Sequence, residues 1–391
     1  MGTILRAIVY FASGTGNSYL VAAWFRDACA ARGIPVSLSP VVLADPGRDI
    51  RPASGTLVAL AFPTHGGLPP WSVIKALLRM PRRRGARFLC LPTRGSFFIG
   101  PILVPGAAVL ASFLPAALLL FKGFRPVGSA SFDMPVNITS VHPTLTARHA
   151  GRITDRAKRK FDRLMERFFR RGSIWLTPNN LYEAAWSVAV LGLIPLFPLL
   201  YLVLGRFFMG KIMFATVRCT GCGTCAASCP ARALVMKGRK KPRPFWRYNC
   251  EHCLRCLNFC PHQAIGASLP WGAFLWWLGA AAASAAAVFA RLTALVPGLG
   301  SWKSYWTGEL VNSLVYYPVF IAAYALFHRL TRWKPANVAL SRTSPSFYLG
   351  QYRAPGTSLR ALTDGEGEGG GPILLKRPTE GSFGRTPGSW P

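Results

Sequence analysis

Cys219-Thr-Gly-Cys222-Gly-Thr-Cys225-Ala-Ala-Ser-Cys229-Pro230 is followed, after a short linker, by Cys250-Glu-His-Cys253-Leu-Arg-Cys256-Leu-Asn-Phe-Cys260-Pro261. Both stretches read C-x2-C-x2-C-x3-C-P. Three closely spaced thiolates wrap one face of an iron–sulfur cube, and a fourth, set before a helix-stopping Pro, points toward a second cube. Zinc accounts for paired C-x2-C knuckles, but not for a third and a fourth Cys at fixed spacing in both runs. Disulfides suit a small secreted domain, and nothing in this chain reads as secreted. Two [4Fe–4S] clusters are the expectation.

In that cross-over arrangement one cluster takes Cys219, Cys222, Cys225 and Cys260, and the other takes Cys250, Cys253, Cys256 and Cys229. The stretch resembles bacterial two-cluster ferredoxins, which extends the expectation to a small α+β ferredoxin-like domain over 209–266. One departure is the linker 231–249, with its basic insert Lys237-Gly-Arg-Lys-Lys-Pro-Arg243. That insert suits a raised cluster potential, lipid headgroups or an acidic partner, and equally a solvated loop.

The rest of the chain bounds the setting. It has 391 residues, half of them hydrophobic, and a net charge of +32. Such a balance fits nucleic acid or an anionic membrane surface. No nucleic-acid module is visible, so no nucleic-acid partner is expected. The N-terminus begins almost at once with a strand pattern and shows no signal peptide, which places the first domain in the cytoplasm. Cys29 and Cys90, outside the two runs, read as buried apolar residues.

Residues 4–11 form a short apolar run suited to a buried parallel strand. It enters Ala12-Ser13-Gly14-Thr15-Gly16-Asn17-Ser18, and a helical pattern follows to residue 32. A strand, a Gly- and hydroxyl-rich loop and a helix N-terminus make an anion site. A Walker loop needs a Lys that is missing here, and the dinucleotide fingerprint needs Gly where Tyr19 stands. What remains is a cradle for one phosphate monoester. Here the sequence resembles flavodoxins, whose first loop holds the phosphate of FMN.

Further strands are expected at 36–42, 56–62, 87–91 and 126–132, with a last basic helix over 143–171. Together they predict an α/β flavodoxin-like doubly wound parallel sheet over 1–172. The resemblance assigns Ser13, Gly14, Thr15, Gly16, Asn17 and Ser18 to the phosphate. It assigns Thr64, His65 and Gly66 to one side of the flavin ring, and Thr93, Arg94 and Gly95 to the other. Neither ring loop offers the aromatic sandwich common in flavodoxins. The domain order resembles flavodoxin–ferredoxin fusion proteins of anaerobic microbes.

Four apolar stretches raise a membrane question. Residues 99–121 occupy the place of a flavodoxin helix and read as one greasy helix. Residues 184–205, flanked by Arg and Lys, read as a re-entrant hairpin turning at Pro195 and Pro198, since one span would separate flavin from clusters. Residues 270–290 and 310–327 read as two transmembrane helices. The expected order is thus a flavodoxin-like domain (1–172), a membrane hairpin (173–208), the ferredoxin domain (209–266), two spans (267–328) and a mostly disordered cytoplasmic tail (329–391). The functional expectation is a membrane-anchored electron-transfer protein at the cytoplasmic (inner) membrane, with both redox domains facing the cytoplasm. It serves an unidentified redox partner protein. Two alternatives stand beside it: an FMN-dependent oxidoreductase for a lipophilic substrate such as a quinone, and a non-redox membrane scaffold with a flavin-free fold. No catalytic residue is legible.

Overall fold

The computed structural model describes residues 4–44, 46–50, 55–140, 145–195, 197–278 and 318–364. Its first half is built on β1 (Arg6–Phe11), an apolar run with every residue after the first buried. β1 pairs in parallel with β2 (Val36–Pro40) on one side and β3 (Thr56–Pro63) on the other; Ala7 faces Val36 and Leu57 in these two ladders. β3 pairs with β4 (Arg87–Ile99), and β4 in turn with β6 (Arg125–Ser129) and β7 (Phe132–Pro135), all in parallel. The order β2-β1-β3-β4-β6/β7 is the flavodoxin-like doubly wound order, whose ligand crevice opens at the β1/β3 switch point.

Alternation along the strands makes two cores. Ala7, Val9 and Phe11 face α1 (Asn17–Ala30) and α5 (Ala147–Arg171). Ile8 and Tyr10 face the other layer, with α3 (Trp71–Arg79) and α4 (Leu114–Leu120); a single turn, α2 (Pro46–Asp49), follows β2. The long basic helix α5 starts at Thr146, whose hydroxyl accepts from the His149 N–H, and stops at Gly172 in the left-handed conformation. The expected fifth strand is divided into β6 and β7. Within β6, where its pairing with β4 is irregular, Ile174 comes alongside: its N–H donates to the Val127 carbonyl, and a Cβ on Gly128 would lie 2.4 Å from the Ile174 side chain.

Several expectations are corrected. Residues 99–121 are not one helix. β4 runs on to Ile99 and turns back antiparallel as β5 (Ile102–Val104); a 3-10 turn (Val109–Ser112) and the seven-residue α4 complete the stretch. Pro101, Pro105 and Pro115 exclude a continuous helix, because each removes a backbone donor. The transmembrane part of the expected fold class also fails: among the described residues no helix is long and apolar enough to cross a membrane. The expected spans at 270–290 and 310–327 fall partly on 279–317, outside the described residues.

At 178–211 the structure does form two helical stretches with a proline turn. α6 (Pro178–Leu193) begins at Thr177, which caps Asn180 N, and ends before Pro195. α7 (Phe197–Leu200), a π turn (Tyr201–Gly205) and α8 (Arg206–Lys211) follow. Its two feet are inside the protein, with Glu183 and Lys211 both 0 % exposed.

The second domain is small. β8 (Met213–Ala215) pairs antiparallel with β11 (Ile265–Ala267), and β9 (Leu234–Lys237) with β10 (Arg243–Trp246). The basic insert is the hairpin turn between β9 and β10, with Gly238 left-handed. Single turns α9 (Thr224–Ala227) and α10 (Arg255–Asn258) sit inside the two cysteine runs.

The tail expectation is corrected as well. Residues 334–364 are ordered as three short helices, Lys334–Arg342, Pro345–Leu349 and Leu359–Asp364, joined by an extended strap. The anchors are polar: Asn337 donates to the Ala215 carbonyl at 2.8 Å, and the Ser344 hydroxyl accepts from Ala267 N at 3.0 Å. Residues 365–391 lie outside the described residues.

Candidate functional site

The eight cysteines of the two runs line two cavities. Cys219, Cys222, Cys225 and Cys260 line one, and Cys229, Cys250, Cys253 and Cys256 line the other. Each cavity draws three thiols from one run and one from the other. All eight are free thiols, and so are Cys29 and Cys90, buried in α1 and β4.

The chain curls around both cavities by the same device. Gly221 and Gly223 have positive φ in the first run, and His252 and Leu254 have it at the matching positions of the second. Arg232 and Gln263, each three residues after a run's last Cys, are left-handed too. A non-Gly residue in this region costs about 1–2 kcal/mol, so repetition of the strain marks a constrained site. Backbone N–H groups turn toward sulfur: Ala233 N to Cys229 Sγ and Ala264 N to Cys260 Sγ, both 3.3 Å. Burial pushes the Cys225 and Cys250 thiols up to about 12 and Cys253 to about 11, with neighbouring thiolates adding to the effect. Four thiolates gathered in one cage repel one another and need positive charge among them, which iron would supply.

At the head of the parallel sheet, the loop Ser13–Ser18 is buried. Gly16 is left-handed (φ 105°), and no side chain caps the N-terminus of α1. Ser13 Oγ accepts from Gly16 N at 3.1 Å, and Ser18 Oγ meets Thr93 Oγ1 at 2.7 Å. Asn17 donates to the Pro135 carbonyl at 2.9 Å, and Asn137 donates to Thr15 Oγ1. Gly14 is required by docking: a Cβ there would lie 1.8 Å from the Cys253 carbonyl oxygen.

The ring-loop candidates divide. Thr64 keeps a buried hydroxyl with no partner, and His65 closes a tight turn with Leu68 through two backbone bonds. Burial pushes His65 down to about 4, so it is neutral at neutral pH. Gly66 lies under the Tyr201 ring, 2.4 Å from the position of a Cβ. Thr93, Arg94 and Gly95, by contrast, lie within β4 rather than in a loop. The Arg94 guanidinium is engaged by both Asp133 oxygens at 2.8 Å and by Glu183.

Sequence reasoning missed five participants. Tyr352, 2 % exposed, donates to Asn17 Oδ1 at 2.7 Å, and Ala354 N donates to the Thr15 carbonyl at 2.9 Å. The same strap holds the second cysteine run, where Gln351 donates to the Cys260 carbonyl at 2.9 Å and Tyr352 N to Asn258 Oδ1 at 2.7 Å. Lys211, beside Cys250, is enclosed by the Tyr248 and Tyr324 rings at 3.8 and 4.2 Å, and burial pushes it down to about 7. Arg255 is taken up below. None of the five belongs to a periodic pattern; the one sequence signal is the cluster of aromatics within 344–356.

A third cavity joins the two domains. Ser13, Gly14, Pro63 and His65 line it from the sheet side, and Pro230, Glu251, Cys253 and Arg255 from the other. Those last four also line the cavity of Cys229, Cys250, Cys253 and Cys256. Two sites therefore share one wall.

Comparison with known proteins decides the nature of the cysteine-rich half. Residues 218–265 match the 4Fe-4S dicluster domain family. The dicluster domain binds 4Fe–4S clusters. No curated protein matches the chain. Among solved structures, a flavodoxin of Streptococcus pneumonia TIGR4 is similar at 17 % identity, covering 34 % of this chain and 86 % of that one, with a TM-score of 0.27. Flavodoxin 2 from Bacillus cereus is similar at 13 % identity, 33 % and 85 % coverage and a TM-score of 0.27. Rubredoxin oxygen:oxidoreductase from Desulfovibrio gigas is similar at 12 % identity over 34 % and 32 % of the two chains, with a TM-score of 0.28. The flavodoxin-like assignment rests on the strand order itself. The chain joins a flavodoxin-like domain to the dicluster domain, in a redox, electron-transferring role.

Proposed function

We propose that this protein carries electrons between FMN, held at the C-terminal edge of β1 and β3, and two [4Fe–4S] clusters, for a separate redox partner protein. One cluster is assigned to Cys219, Cys222, Cys225 and Cys260, and the other to Cys250, Cys253, Cys256 and Cys229. The observation that carries the reading is the wall of Pro230, Glu251, Cys253 and Arg255 common to the dicluster domain and the phosphate-loop cavity.

The residues present fit a phosphate monoester. α1 starts without a side-chain cap, its loop turns through left-handed Gly16, and Ser13, Thr15, Asn17 and Ser18 bring polar side chains to a buried cradle. The unpartnered buried Nε–H of Arg255 adds a donor at this junction. FMN, when bound, exchanges one or two electrons, whereas each cluster carries one. The chain's own part is to orient and to exclude water. Loop N–H groups and α1 hold the phosphate, Phe11 and Pro63 furnish an apolar wall, and the strap of Tyr352 and Ala354 holds the loop from outside. Converting both Thr15 and Asn17 to Ala is expected to weaken FMN binding on the order of 100-fold or more, since bonds to charged groups contribute about 1.5–3 kcal/mol each. Fluorescence quenching of added FMN measures this; unchanged affinity in the double variant contradicts the cradle.

In place of a span, contact of the α6–α7 tip with lipid at the cytoplasmic face of the membrane is part of the proposal. Leu193 is 83 % and Ile194 56 % exposed at that tip, and the chain's net charge is +32. Sedimentation with anionic vesicles is expected for the unaltered chain and is expected to drop severalfold in Leu193→Glu/Ile194→Glu. Equal sedimentation of the two removes this contact from the account.

A further inference from the structure

Arg255 sits at the junction of the two cofactor sites. It stands between Cys253 and Cys256 at the start of α10 and is 4 % exposed. Its side chain bonds three carbonyl oxygens: Ser228 at 2.9 Å, Ser13 at 2.7 Å and Leu362 at 3.4 Å. The Nε–H is buried and has no partner. Among the described residues no carboxylate pairs with it. Glu251, on the same wall, accepts from the Ser72 hydroxyl at 2.7 Å. A guanidinium withdrawn this far from water, with neutral oxygens for partners, lacks the anion that ordinarily compensates a buried charge.

Two anionic groups belong to the sites it borders. On one side is the cage of Cys229, Cys250, Cys253 and Cys256, whose cavity it lines. On the other is the cavity beneath the phosphate loop, and its bond to the Ser13 carbonyl ties it to the backbone of that loop. We propose that Arg255 is a positioning cation shared by the two sites, compensating the thiolate cage on one side and the mononucleotide phosphate on the other, so that loading one site alters the other. This rests on the reading of Ser13–Ser18 as an FMN phosphate cradle.

The sign follows from charge. A fixed cation favours the more negative, reduced cage and so raises its midpoint potential. A phosphate brought to the same guanidinium opposes that effect and lowers the potential. Binding free energies are reciprocal, so reducing the cluster weakens mononucleotide binding by the same factor that binding disfavours reduction. Each tenfold of that factor corresponds to about 59 mV for a one-electron couple.

The test uses the full chain with its clusters in place. EPR-monitored titration, with dithionite as reductant and ferricyanide as oxidant, gives the cluster potentials with and without saturating FMN. The expected result is a lower potential for one cluster on FMN loading, with FMN binding weaker to the reduced chain by the matching factor. Arg255→Gln is expected to bind FMN tenfold or more weakly and to lower the same cluster's potential. Arg255→Lys, which keeps the charge but loses the fork, is expected to restore the potential and leave FMN affinity reduced. Because Arg255 joins three segments, Arg255→Gln is open to misfolding, and the measurement on the unaltered chain decides alone. Stoichiometric FMN with both cluster potentials unchanged overturns this inference and leaves the cradle standing. Failure of the unaltered chain to bind FMN at all overturns the cradle and this inference together.

Discussion

Replacing both Cys229 and Cys250 by Ala is expected to leave one intact cluster and about four irons per chain, whereas replacing Cys225 and Cys229 is expected to leave almost none. The two pairs separate the ligand sets. Cys229 and Cys250 line the same cavity although they come from different runs, so their joint loss costs one cage. Cys225 and Cys229 are neighbours in sequence but line different cavities, so their loss breaks both. Iron and acid-labile sulfide assays on anaerobically purified variants read the difference directly. If each run instead kept its own cluster, the outcomes would be reversed, and the cross-over assignment would be lost.

The second large effect is expected far from the cysteines. Glu183 is fully buried and holds four partners. One carboxylate oxygen accepts from Ala108 N at 2.8 Å and Val109 N at 2.9 Å; the other takes the Arg94 guanidinium and the Ser131 hydroxyl. It pins α6 onto the sheet, beside Asp133 and Lys160. Removing this carboxylate strips Arg94 of one of its two anions and leaves the Ala108 and Val109 N–H groups without their acceptor, at a cost of about 3–5 kcal/mol. Glu183→Ala is therefore expected to lower the unfolding free energy of the sheet domain, read by urea titration, by that amount and to release α6 to proteolysis. A change below about 1 kcal/mol, the range of an exposed pair, would show that the network contributes little.

How much of this was legible in the sequence depended on the kind of signal. Two runs of four cysteines at fixed spacing determine their chemistry almost alone, and the loop from Ser13 to Ser18 is legible because a strand, glycines and a helix follow one another locally. Residues 99–121 were misread because a long apolar run carries no period to separate strand from helix; the hairpin of β4 and β5 becomes apparent only when its three prolines are weighed as helix breakers. Arg94 looked like a loop cation because its partners, Asp133 and Glu183, are far along the chain. The tail looked unstructured because its anchors, Asn337, Ser344 and Tyr352, are polar residues bonded to distant backbone or to Asn17. Membrane spans were expected from hydropathy at 270–290 and 310–327, yet among the described residues no helix is long and apolar enough to cross; 184–205 was expected as a hairpin turning at Pro195 and Pro198, and α6 ends before the first of these.

The most direct test of the central claim is the cofactor content of the full chain purified anaerobically, with iron, sulfide, zinc and FMN quantified together and reduction followed by absorbance and EPR. The account predicts about eight irons and eight sulfides per chain, one FMN, and reducible signals from both kinds of centre. Zinc in place of iron, with no flavin and no reducible chromophore, would contradict it.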